Sequence, residues 1–221
     1  MLSEADSKAP AGGEPAGATS GQMQGGYAAS RLQSLPGDAQ RLLTVLGGPV
    51  QFASMCPDRV KPPRFAIFEA GDPATDDFVQ RSDLEERACY YSLNVTRPGI
   101  ATKATKLGII AARGAHVDID PPKDGGAFDK AAVLDKLKAS AMPPSYVVDS
   151  GGGLQPVWLF DGHVTDFELV EGINRALIAR YGGDPGTFNI DRLLRVPGSL
   201  NTPNAKKAAA GRQPARAGFA L

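Results

Sequence analysis

Asp118 and Asp120, one residue apart in Val117-Asp118-Ile119-Asp120, are the residues of this sequence best placed to do chemistry. In an extended strand, residues i and i+2 point to the same face about 6.6 Å apart along the chain. Two carboxylates so placed repel each other unless a cation joins them, and hard oxygen ligands suit Mg2+ or Mn2+, which bridge readily to phosphate. Asp-x-Asp also occurs in solvated turns, and Pro121-Pro122-Lys123-Asp124-Gly125-Gly126 directly after it is turn-rich. Taken alone, the pair is open to both readings. A second group is Ser150-Gly151-Gly152-Gly153-Leu154-Gln155-Pro156-Val157-Trp158, where three glycines let backbone N–H groups approach an anion without hindrance. A third is Asp191-Arg192-Leu193-Leu194-Arg195-Val196-Pro197-Gly198-Ser199-Leu200-Asn201, which combines a further carboxylate, cations and a Pro-Gly turn.

The elements that must position these groups follow from periodicity and punctuation. Gly114 to Asp120 reads as a strand carrying the first carboxylates, fed by Ala101 to Ala112 with its Lys103 and Lys106. Phe128 to Leu137 then reads as a helix, with Phe128, Val133, Leu134 and Leu137 on one side. Tyr146-Val147-Val148, the glycine loop and Leu154 to Phe160 have the form of a β-hairpin. Thr165 to Tyr181 fits a helix capped by Thr165 or Asp166, with Phe167, Leu169, Val170, Ile173, Leu177 and Ile178 inward, and it ends at Gly182-Gly183-Asp184-Pro185-Gly186. Upstream, Ala28 to Leu46 reads as two helices broken at Pro36-Gly37-Asp38. Arg64 to Phe68 and Tyr90 to Val95 read as strands of one sheet, and Asp72 to Arg87 between them as a surface excursion or helix. Strand, helix, hairpin, helix predicts an α+β fold, a sheet with helices packed on one face.

Composition narrows the function classes. With 221 residues and 42% hydrophobic content, the chain can bury a real core. Lys plus Arg and Asp plus Glu are 24 each, so global charge does not announce a nucleic-acid binder and any such role depends on local placement. Cys56 and Cys89 cannot by themselves build a zinc site or a disulfide framework, which suggests a reducing compartment. Residues 1–27 carry neither an apolar run nor a basic leader and read as a disordered tail, not a signal peptide or membrane anchor. Residues 28–204 read as the globular domain. Residues 205–221, with Lys206, Lys207, Arg212 and Arg216, read as a basic flexible tail or linker, either solvated or touching phosphate. The chain is also open to being one domain of a longer protein.

The three groups, in this order and spacing, resemble the archaeo-eukaryotic primase superfamily, in particular the RepB-like and primase-polymerase enzymes of plasmids and phages. The resemblance covers roughly Tyr90 to Asn204, and it lies in the combination: two acidic residues on a strand, a Gly-rich turn, then a single Asp followed by arginine, Pro-Gly and Asn. It implies a primase-like catalytic core with an RRM-like β-sheet and, on the metals, a two-metal site of Mg2+ or Mn2+ held by Asp118, Asp120 and Asp191 as catalytic carboxylates. It implies nucleotide binding by Ser150, Gly151, Gly152, Gly153, Gln155 and Arg195, with dNTPs or NTPs as substrates and single-stranded DNA as template. A helicase domain on another segment or chain, and a cytoplasmic setting in a bacterium or phage-infected cell, are further implied expectations. Two metal ions about 3.5 to 4 Å apart serve in-line attack on an α-phosphate with loss of pyrophosphate. Gln155 stands where the family has His; its amide can donate a hydrogen bond but carries no charge. Arg195 has two readings, phosphate ligand or structural partner of Asp191. Lys103 and Lys106 likewise either touch template phosphates or sit on a solvated helix.

Other chemistries fit less well. Asp149-Ser150-Gly151-Gly152 looks like the nucleophile loop of trypsin-like proteases, but His116 precedes Ser150 by only 34 positions, too few for that fold's His, Asp, Ser order. No Gly-Lys-Ser/Thr follows any glycine run, so a P-loop is excluded. Neither His116 nor His163 clusters with a cysteine in a zinc pattern. The readings left are a template-dependent nucleotidyltransferase, a nucleotide or single-stranded DNA binding module with the same fold and weak or no catalysis, and a metal-dependent phosphodiesterase.

Overall fold

Near-continuous burial along β1 (Val50–Met55) and β3 (Ala88–Ser92), with Val50, Phe52 and Tyr91 at zero exposure, builds the first of two antiparallel sheets that meet in one shared core. The computed structural model describes residues 37–122 and 126–221. Before β1 stands α1 (Asp38–Leu46), whose Leu42, Leu43 and Leu46 recur at helical spacing and are buried. After it come β2 (Arg64–Phe68) and α2 (Ala74–Leu84). Beyond β3 the chain runs through β4 (Val95–Thr96), β5 (Ile109–His116), α3 (Lys130–Lys138), β6 (Tyr146–Asp149), β7 (Leu154–Val164) and α4 (Phe167–Tyr181). It closes with β8 (Leu193–Arg195), β9 (Leu200–Asn201), α5 (Ala205–Ala209), β10 (Ala215–Arg216) and β11 (Gly218–Phe219).

The strand orders are β2-β1-β3-β8 and β11-β6-β7-β5-β4, with β9 and β10 as a separate ribbon. One core lies between the two sheets: Phe52, Tyr91 and Leu194 from the first meet Tyr146, Val148 and Val157 from the second, under α1. The buried hydroxyls of Tyr91 and Tyr146 bond at 2.9 Å across this junction. On its other face the second sheet is covered by α3 and α4, where Val117, Ile119, Trp158, Ile178 and Tyr181 pack together. This is the expected mixed fold. Asp166 caps α4 by accepting from the Leu169 N–H, and Gly182 ends it in a left-handed conformation.

Several expectations change. The strand β1 went unread in the sequence, and Leu169, read as inward, is 55% exposed. The regular strand β5 ends at His116, yet the ladder with β7 reaches Ile119 through an isolated bridge to Leu154. Val117 and Ile119 thus turn into the core, and Asp118 and Asp120 alternate to the opposite face. The span 72–87 is the helix α2, and Tyr90 to Val95 is split between β3 and β4. Residues 205–221 do not form a free tail: β11 pairs with β6, Ala217 is buried, and Arg216 Nη1 bonds Asp83 Oδ2 at 2.8 Å and the Gly198 carbonyl at 2.5 Å. A free tail would waste the apolar contacts of Ala217 and Phe219, which join the inter-sheet core. The first helix expected in 28–35 and the tail 1–27 lie outside the described residues. Both cysteines are free, Cys89 buried and Cys56 partly so, and among the described residues no helix is long and apolar enough to cross a membrane.

Two stability predictions follow from this packing. A Cβ at Gly153 would stand 2.4 Å from the Ile119 carbonyl oxygen and 2.9 Å from Asp120 Oδ1, whereas one at Gly162 meets nothing within 4 Å. Gly153→Ala is therefore expected to lower stability by about 1–3 kcal/mol in urea denaturation, and Gly162→Ala to leave it within about 0.5 kcal/mol. His116 is buried, which pushes its pKa down to about 4 despite an Nε2 bond to the Thr187 carbonyl at 2.9 Å. The unfolded imidazole, with a pKa of about 6.5, takes a proton first as pH falls, so stability is full above that value and is lost toward pH 4. Lowering pH from 7 to 5 should cost about 2 kcal/mol through this residue alone. A His116→Gln variant should show a correspondingly flatter pH dependence.

Candidate active site

The carboxylate pair lies on the inter-sheet face, beside Gln155 of β7 and across from β8 of the first sheet. Asp118 is buried: Gln155 Nε2 donates to its Oδ1 at 3.2 Å, and Arg192 Nη2 reaches its Oδ2 at 3.2 Å. Asp120, at the rim, is exposed, but protein crowds its inner side. That desolvation, then repulsion from Asp118, raises its pKa, against the pull of Lys207 and Arg212. Asp191 stands at the start of the third group, where Lys103 Nζ meets its Oδ2 at 3.2 Å and Asn189 donates to its Oδ1. Burial pushes Asp191 up, but the Asn189 bond and Lys103 outweigh it, so its pKa falls below the ordinary carboxylate value.

Gln155 does not present a free amide to a ligand. Its Nε2 is on Asp118, and its Oε1 accepts the backbone N–H of Arg195 at 2.8 Å, which fixes the amide orientation and joins the two sheets. The glycine turn is likewise engaged within the chain. The Gly151 N–H donates to Asp149 Oδ1 at 2.8 Å, the Gly153 N–H donates to Ser150 Oγ at 3.0 Å, and the Ser150 N–H donates to the Gly153 carbonyl at 2.9 Å. What the glycines provide is close approach. A Cβ at Gly153 would strike the carboxylate strand, and one at Gly152 would stand 2.6 Å from the Arg212 guanidinium.

Arg195 points away from Asp191. Its guanidinium lies 4.1 Å over the Tyr90 ring, and Nη2 bonds the Tyr90 hydroxyl at 3.1 Å and Asn201 Oδ1 at 2.9 Å. Asn201 in turn donates to the Ser150 carbonyl at 2.6 Å, linking the second and third groups. Arg195 is 6% exposed, and its Nε and Nη1 have no hydrogen-bond partner. Buried donors are rarely left unsatisfied without cause. Arg195 also lines a cavity of about 90 Å3 whose wall includes Tyr90, Asn201, Lys207 and Arg212. Lys207 and Arg212 belong to the basic segment after Asp191 that the sequence left open between a solvated and a phosphate-touching tail. Lys106 pairs with Glu171 at 2.6 Å, away from this cavity. Larger recesses of about 520 Å3 beside α2 and about 470 Å3 between β7 and α4 are not lined by Asp118, Asp120 or Asp191.

Among the described residues, no three His, Cys, Asp or Glu side chains are gathered closely enough to hold a metal ion in this arrangement. The donors nevertheless suit a hard divalent cation, being carboxylates, and two of them already hold a stand-in: a guanidinium on Asp118 and an ammonium on Asp191.

The comparisons with known proteins agree with this architecture. The model of the RepB DNA-primase N-terminal domain matches residues 80–217, more than half the chain. Among solved structures, the chain is similar to the archaeo-eukaryotic primase domain of the cyanophage S-2L primase-polymerase. The TM-score is 0.59 at 18% identity, over 86% of this chain and 91% of that one. It is also similar to the primase RepB′, with a TM-score of 0.57 at 16% identity over 86% of this chain and 56% of that one. A structure of the RepB′ catalytic domain in complex with initiator DNA gives a TM-score of 0.54 at 16% identity, over 81% of each chain. No curated protein matches the chain. With the matched segment running from before β3 through β10 and taking in all three groups, the chain belongs to the family of RepB DNA-primase N-terminal domains and has the archaeo-eukaryotic primase fold.

Proposed function

We propose that this domain carries out metal-dependent, template-directed nucleotidyl transfer, joining dNTPs or NTPs on single-stranded DNA. The observation that carries this reading is the cavity lined by Arg195, Lys207 and Arg212 beside Asp120. At about 90 Å3 it is far smaller than the roughly 300–1,000 Å3 of pockets for drug-sized ligands, which suits a phosphate-scale anion. Three cations next to carboxylates meet the two demands of the reaction, charge on the triphosphate and oxygen ligands for a metal.

Arg195 would add positive charge to the cavity wall, and its stacking on Tyr90 holds the guanidinium plane still. Lys207 and Arg212 would bind and neutralise the β and γ phosphates. Gln155 holds the Asp118 carboxylate and the β8 backbone in register. A divalent ion bound by Asp118, Asp120 and Asp191 would supply Lewis-acid charge at the attacking 3′-hydroxyl and the α-phosphate. In the reaction the 3′-oxygen bonds the α-phosphorus, the α–β phosphoanhydride bond breaks, and pyrophosphate leaves with the hydroxyl proton passing to solvent or a carboxylate. A RepB′ structure holds initiator DNA, which supports a DNA template here. A second reading, a binding module with little catalysis, is favoured by the internal bonding of Gln155, whose amide is held between Asp118 and the Arg195 N–H where the family has His.

Primer synthesis and extension on single-stranded DNA with Mg2+ or Mn2+ separate the two. The account expects product with at least one metal, and loss of two orders of magnitude or more, roughly 3 kcal/mol, in Asp118→Asn or Asp191→Asn. Nucleotide and DNA binding with no product under either metal would favour the binding module. Arg212→Gln should raise KM for the nucleotide about tenfold with a smaller change in kcat, because the residue meets phosphates in both ground and transition states. An unchanged KM would remove Arg212 from the site.

A further inference from the structure

We propose that Arg192 and Lys103 are resident counter-cations of the metal-binding carboxylates, displaced when a divalent ion enters, and that they set the metal affinity of the free protein. The inference rests on the reading of Asp118, Asp120 and Asp191 as metal ligands.

The geometry of these two ion pairs differs from that of the structural pair elsewhere in the chain. Arg216 and Asp83 lie 2.8 Å apart with side chains 17% and 3% exposed. Asp83 Oδ1 accepts the Leu200 N–H at 2.8 Å, and Arg216 also bonds the Gly198 carbonyl. That guanidinium is held by burial and by a second acceptor, although it too meets its carboxylate through one nitrogen and leaves Nη2 without a partner. Arg192, by contrast, meets Asp118 at the longer 3.2 Å, and its side chain is 38% exposed. Lys103 repeats the pattern on Asp191, with one contact at 3.2 Å and 41% exposure. Half-exposed pairs of this kind are weak and exchangeable.

Their placement gives the weakness a purpose. Asp118 and Asp120 share one face, and with no cation nearby the pair would be strongly repulsive. Arg192 offsets that repulsion at Asp118, and Lys103 balances the charge of Asp191, each through a single long contact. A doubly charged ion binding the same oxygens outcompetes a single long contact, and both side chains are exposed enough to swing into solvent. The released cations then face the incoming phosphates, so metal entry and phosphate binding favour one another, and linkage makes that coupling reciprocal.

The test is Mn2+ binding to the nucleotide-free protein, read by electron paramagnetic resonance of free Mn2+. Arg192→Gln should bind Mn2+ roughly three- to tenfold more tightly than the wild type, and Arg192→Lys, which keeps the charge, should stay within about twofold of it. Lys103→Gln should tighten binding in the same sense. Unchanged or weaker binding in Arg192→Gln overturns the proposal while leaving the metal site itself intact. An Asp118→Asn variant that binds Mn2+ as the wild type does would instead overturn the metal-site reading, and this proposal with it.

Discussion

The side chain of Gln155 is the tie on which the site depends. One end of its amide holds Asp118 on the second sheet, and the other accepts the Arg195 N–H on the first. Two twisted sheets that share a core can shift against each other at their edges, and a buried amide with both ends satisfied fixes one register between them. From this tie the rest follows in order. Arg195 is aimed over Tyr90, Asn201 carries the link on to Ser150, and the glycine turn closes against Asp120. The Tyr91–Tyr146 bond does similar work deeper in the same junction. In this chain Gln155 is a structural tie between the strand of Asp118 and β8.

Charge is arranged around that tie so that nothing is left uncompensated for long. Asp118 faces Arg192, Asp191 faces Lys103, and Asp120 lies in the field of Lys207 and Arg212. An even global charge thus conceals local pairing of opposite signs. The C-terminal segment matters here because it delivers two of the four cations. It is held in place by β11 on β6 and by Arg216 on Asp83, so Lys207 and Arg212 sit on a fixed element and not on a free end. Asp83 shows the cost of that anchoring: burial raises its pKa even though the Leu200 N–H and Arg216 both favour its charge.

Much of this was legible in the sequence because local chemistry and fold agree there. The hairpin around Gly151 to Gly153 and the helix ending at Gly182 were marked by turn and cap residues whose preferences are local. The alternation that puts Asp118 and Asp120 on one face holds because Ile119 pairs with Leu154. What the sequence hid depends on contacts between distant segments. The strand β1 has no alternating polar face to advertise it, since Gln51 and Ser54 are buried with their neighbours. The glycines looked like an anion cradle, but distant neighbours explain them: Gly152 makes room for the Arg212 guanidinium and Gly153 for the carboxylate strand. Arg195 had two readings that only its stacking on Tyr90 could separate.

The central claim is that the cations of β8 and the C-terminal segment hold the triphosphate while the carboxylates beside them hold the metal. A crystal structure with a nucleoside triphosphate and Mn2+ tests it most directly. The account predicts phosphates against Arg195, Lys207 and Arg212, metal on Asp118 and Asp120, and Arg192 withdrawn from Asp118. Phosphates bound elsewhere, such as along the recess between β7 and α4, with Arg192 still on Asp118, would contradict it.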